Sequence, residues 1–67
     1  MDYTLAHFNM LVLQGSLKSK LQKGDRILLD KKFDDAAPHV RKHLTRHKIA
    51  YLLEEGRPDT FLAFMIV

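Results

Sequence analysis

Cysteine is missing from this chain altogether. Disulfides and thiolate metal sites are therefore excluded, and cysteine usage says nothing about the redox compartment. Glycine and proline are scarce, at three and two residues, so the places where the chain can turn sharply are few. Long apolar runs are lacking too, and no segment approaches the length of a membrane span. The opening MDYTLAHFNMLVL has an acid where a signal peptide carries a basic region, and no small-residue cleavage site follows. The expectation is a soluble, intracellular protein of the cytoplasm. Catalytic signatures are equally sparse. Ser16, Ser19 and Thr45 sit on no nucleophile elbow, and no acid stands in a recognisable order beside the histidines. The chain reads as non-enzymatic and without cofactor.

What is present is a short, apolar, mildly basic domain. With 46% hydrophobic and 28% charged residues it is globular rather than disordered. Its 67 residues stand near the lower limit for a self-sufficient core. A chain this small without disulfide or metal staples favours oligomerisation or a permanent partner.

Residues 3–13 are apolar on both sides of any regular element. Period two puts Thr4, Ala6, Phe8, Met10 and Val12 on one face, and a strand is predicted. Residues 14–25 form a basic connection, with turn signals at Gly15-Ser16 and Gly24-Asp25 around Lys18, Lys20 and Lys23. Residues 26–30, RILLD, read as a second strand able to pair with the first as a long-looped hairpin. Phe33-Asp34-Asp35 then begins a helix, either aspartate serving as cap and Pro38 lying in the first turn. Ala36, Ala37, Val40 and Leu44 make its apolar arc, opposite Arg41, Lys42, Thr45, Arg46 and Lys48.

At Ile49 the period changes from helical to alternating, so the helix is placed to end near His47–Lys48 and a strand to follow. The competing reading is one helix continuing through Glu55. Residues 54–59 form a polar turn, and residues 60–67, TFLAFMIV, suit a central strand or one covered by something else. The expected fold is a single α+β domain in the order β-β-α-β-β, one helix packed on a small antiparallel or mixed sheet.

Three clusters invite chemistry. His39, His43 and His47 recur every four residues along one side of the helix, a spacing compatible with zinc or nickel. The helix offers no carboxylate after Asp35 to complete or orient such a site, so these are read as boundary residues and no metal is assigned. Arg41, Lys42, Arg46 and Lys48 form a positive face suited to phosphate contacts, extended by a second basic region over residues 18–32. No aromatic residue interleaves with them, which disfavours stacking on single strands. The apolar C-terminal strand offers a surface for strand addition, and Phe61, Phe64, Met65 and Ile66 are assigned to partner binding.

Over residues 23–55, KGDRILLD followed by DDAAPHVRKHLTRHK and IAYLLEE resembles many small phage and prophage proteins. In those, a Gly-Asp-led strand enters an alanine-started helix that ends in a basic turn and a short strand. The resemblance implies a virion-assembly or host-interaction role, located in the host cytoplasm or the virion, with no catalytic residues to carry over. This chain departs from the pattern by placing His47-Lys48 where a glycine usually separates helix from strand. The expected function is thus a protein-protein interaction or assembly protein, acting on a protein partner or a second copy. Nucleic-acid regulation through the basic helix face is the alternative.

Overall fold

The computed structural model of the chain describes residues 1–56 and 61–67, with the side chain of Phe61 outside that description. Its elements are β1 (Asp2–Tyr3), α1 (Leu5–Gln14), the one-turn α2 (Leu17–Lys20), β2 (Arg26–Asp30), a 3-10 segment (Lys31–Ala36), α3 (Ala37–Arg46), β3 (Tyr51–Glu55) and β4 (Phe61–Ile66). The α+β class holds, with helices packed on one four-stranded mixed sheet ordered β1-β2-β4-β3.

The N-terminal third corrects the strand expected over residues 3–13. Only Asp2 and Tyr3 are extended, and they pair with Arg26 and Ile27 in parallel rather than as a hairpin. Thr4 then starts a helix, its Oγ1 accepting from the His7 N–H at 3.1 Å. Gly15, at φ +65°, ends it. Ser16 N–H donates to the Leu11 carbonyl at 3.0 Å and Gly15 N–H to that of Val12 at 3.1 Å, a complete Schellman closure. Because the segment is apolar all round, period two describes it as readily as period 3.6. The cap and the glycine stop, which lie outside the apolar run, decide the matter. Phe8 is buried, while Met10 and Leu13 point to solvent.

The central helix arises as its pattern predicts, with two local corrections. Asp34 and Asp35 do not cap it: they lie in the 3-10 segment, and Ala36 holds the cap position without a side-chain hydrogen bond. Pro38 sits in the first turn, where no N–H is needed. Val40 and Leu44 are buried, and Ala36 and Ala37 pack against them. At the far end Lys48 adopts φ +56°. Its N–H donates to Thr45 at 3.0 Å and that of Ile49 to Leu44 at 2.9 Å, the same closure that Gly15 makes. Lys48 thus takes the glycine's conformation without being one. The continuous helix through Glu55 does not form. The expected turn over residues 54–59 falls partly outside the described residues, and Glu54 and Glu55 close β3 instead.

All helix-borne core side chains gather on one sheet face. Phe8, Leu17, Val40 and Leu44 meet Ile27, Leu29, Phe64 and Ile66, with Tyr51 and Leu62 packed alongside. Alternation sends Arg26, Leu28, Leu52, Glu54, Ala63 and Met65 to the other face. None of these six belongs to the core cluster. Below them, Asp25 anchors the start of β2. It is buried, accepts the Met1 ammonium at 3.0 Å and takes a backbone N–H from Gln22 at 2.9 Å.

Candidate functional site

The four residues assigned to partner binding do not form one surface. Phe64 and Ile66 project into the core, Phe64 packing edge-on against Tyr51 at a ring separation of 5.3 Å. Met65 is half-buried on the opposite face, in register with Leu52 and Arg26. Phe61 shares that register parity, though its side chain lies outside the described residues. Nor does β4 offer an edge. It is hydrogen-bonded to β2 on one side and β3 on the other, so strand addition along the C-terminal strand itself is ruled out. The central placement expected for TFLAFMIV is the one observed. β2 and β3 pair with its backbone on the two edges, while the helices cover the face that carries Phe64 and Ile66.

The free edges fall elsewhere. β1 is two residues long, and its Asp2 is engaged by Arg26 at 3.2 Å, so that edge is short and charged. β3 is the long one. Val67 N–H donates to the Ala50 carbonyl at 3.2 Å, which turns the even-numbered backbone groups of β3 toward β4. By alternation the N–H and C=O groups of Tyr51, Leu53 and Glu55 face outward. Leu52 and Leu53, on this same strand, remain 54% and 46% exposed. Next to them the outer sheet face presents the half-buried Leu28 and Met65, with Ala63 buried between them. Arg26 borders it, 3.8 Å from Glu54. The result is a strand edge, unpaired among the described residues, that continues into an apolar strip.

The histidines separate. His39 and His43 meet edge-to-face at 4.8 Å between ring centroids, and both meet the Phe8 ring of α1 edge-on, at 6.1 and 6.3 Å. His39 Nε2 lies 2.8 Å from Asn9 Oδ1. Partial burial pushes the His43 imidazole below its usual range, helped by the positive neighbours His39, Arg46, Lys42 and His47. His47 stands apart at the helix C-cap, exposed to solvent. Among the described residues no group of three histidines and acids is placed to hold a metal ion. The pair acts as an aromatic seam between α1 and α3.

Arg41, Lys42, Arg46 and Lys48 all reach solvent, and none makes an ion pair among the described residues. Lys18, Lys20 and Lys23 are exposed as well. Arg26 leaves the basic set, since Asp2 and Glu54 engage it. A further feature escaped the sequence because it depends on α1 being a helix. Thr4, Leu5, Ala6 and Asn9 line a groove of about 560 Å³ with Leu28, Asp30 and Phe33, where β1 stops and β2 runs on.

No helix among the described residues is long and apolar enough to cross a membrane. Comparison with protein-family models, with curated proteins and with solved structures found no match.

Proposed function

We propose that this protein is a small non-enzymatic interaction or assembly protein. Its contact surface is the outer edge of β3 together with the apolar strip of Leu28, Leu52 and Met65. One observation carries the reading. Leu52 and Leu53 are both about half exposed on a strand whose outward backbone groups are unpaired among the described residues. Unprotected edges of this kind recruit another chain, and natural monomers blunt them with lysine, proline or a bulge. β3 has none of these within Tyr51–Glu55, and its charges, Glu54 and Glu55, are confined to its C-terminal end. A phage-encoded accessory or virion-assembly role, in the host cytoplasm or the virion, suits a domain of this size and surface. Native mass spectrometry combined with a pull-down tests the proposal. A self-associated species, or a complex that needs the β3 edge, supports it, and a strict monomer that captures nothing refutes it.

The second reading is a nucleic-acid-binding regulator. It is favoured by four solvent-exposed cations, Arg41, Lys42, Arg46 and Lys48, crowded along one helix and its C-terminal turn without carboxylate partners among the described residues. Such a face binds phosphates with steep salt dependence. A gel shift with DNA and RNA at two salt concentrations tests it, and no binding at low salt removes it.

A further inference from the structure

We infer that β3 pairs antiparallel with β3 of a second copy of this chain, about a twofold axis through Leu53, joining two four-stranded sheets into one of eight. This rests on the interaction reading above and names its partner.

The backbone sets the register. Tyr51, Leu53 and Glu55 are the residues whose N–H and C=O groups point away from β4. A twofold axis perpendicular to the sheet requires a residue of one copy to face its own equivalent or one of the same parity. Leu53 is the midpoint of the five-residue strand. An axis there pairs the strand along its whole length, with Leu53 exchanging both hydrogen bonds with its own copy and Tyr51 doing so with Glu55 of the other.

Side chains select the same register. With Leu53 on the axis, Leu52 faces Glu54 and Tyr51 faces Glu55, so no glutamate lies directly opposite another. An axis through Glu55 would set like charges in register, which destabilises a strand pair. An axis through Tyr51 would place Leu53 opposite Ile49, which precedes the strand and follows the left-handed Lys48. Leu53 on the axis covers its own exposed counterpart, and the apolar strips carrying Leu52 and Met65 become continuous across the junction.

Sedimentation velocity across a dilution series reads the assembly, and single-cysteine variants read the register. The cysteine-free sequence makes each introduced thiol unique. The expected wild-type mass is twice 7.8 kDa at high concentration. Leu53→Lys sets two lysines on the axis and weakens the dimer by roughly tenfold or more. Under mild oxidation Leu53→Cys crosslinks, since directly opposed Cα atoms stand at ~5.5 Å, within disulfide reach. Leu52→Cys crosslinks poorly, its two copies being more than ~7 Å apart in this register.

A wild-type monomer at every concentration that captures another protein, with capture lost in Leu53→Lys, overturns self-pairing and leaves the interaction reading standing. A monomer that captures nothing overturns both. A dimer indifferent to Leu53→Lys, or one in which Leu52→Cys crosslinks faster than Leu53→Cys, overturns the Leu53-centred pairing alone.

Discussion

His39 on α3 and Asn9 on α1 meet at 2.8 Å, Nε2 to Oδ1, across a separation of 30 residues. A carbonyl oxygen only accepts, so with Asn9 Oδ1 in this position the His39 Nε2 carries a proton and donates it. The same imidazole meets His43 and Phe8 edge-to-face, placing a polar and an aromatic contact in one seam. The seam is partly open to water, so its hydrogen bond contributes less than a buried one. In a double-mutant cycle of Asn9→Ala and His39→Ala, a coupling of about 0.5–1 kcal/mol is expected from urea denaturation. Strictly additive losses would show that this contact adds nothing to the packing that joins the two helices.

Acid should loosen the fold in two separate steps. The His43 pKa is lowered in the folded protein, mainly by burial, so the unfolded chain binds the extra proton more readily. The stability linked to this group is complete above the ordinary imidazole value of about 6.5 and is lost as pH falls through the lower folded value. The urea midpoint at pH 5 is accordingly expected below that at pH 7, and His43→Gln should flatten the difference. A second step belongs to Asp25. The Gln22 N–H holds its carboxyl below the usual range, burial opposes that, and the Met1 ammonium adds to the lowering. Its contribution is present above about 3.9 and disappears only at lower pH. Asp25→Asn should leave the decline between pH 7 and 5 in place and remove the later one.

Two helices ending in one closure, with different residues at the left-handed position, make a matched pair of tests. Gly15 and Lys48 have φ of +65° and +56°. A side chain there costs about 1 kcal/mol in the left-handed conformation. Lys48→Gly is expected to raise stability by up to about 1 kcal/mol, and Gly15→Ala to lower it by a similar amount. An added Cβ at Gly15 meets no atom within 4 Å, so crowding contributes nothing to that loss. Thermal melts of both variants check this, and a destabilised Lys48→Gly would show that the lysine side chain matters more than its backbone.

The helical state of residues 5–14 has its own signature. Phe8 is completely buried and Leu13 is 87% exposed. Phe8→Ala should cost about 3–5 kcal/mol, a large part of the roughly 3–10 kcal/mol that a domain of this size commands. Leu13→Ala should fall within about 0.5 kcal/mol of wild type. Comparable losses at the two positions would contradict the placement of α1.

Much of this architecture can be read from local pattern. Val40 and Leu44 announce the buried side of α3, the change of period at Ile49 announces β3, and the doubly apolar TFLAFMIV announces a strand with neighbours on both sides. Residues 3–13 resist the same treatment. An apolar segment without a polar face has no period to read, and the information lies in Thr4 and Gly15 at its ends. At Lys48 the helix stop carries no residue signal, since the Schellman hydrogen bonds and the burial of Ile49 against Leu44 hold a lysine where glycine is usual.

Composition and local pattern alone determined a single small α+β domain without disulfides, a basic helix face and a surplus of apolar surface. Those follow from side-chain type and from periodicity over a few residues. Which strand would be left at the edge was decided only in three dimensions. β4 lies between β2 and β3, where Phe64 and Ile66 reach the core, and that order leaves the outward backbone of Tyr51, Leu53 and Glu55 as the longer open edge among the described residues. Strand order is set by contacts between residues far apart in the chain, and the proposed partner surface moved with it from the C-terminal strand to its neighbour.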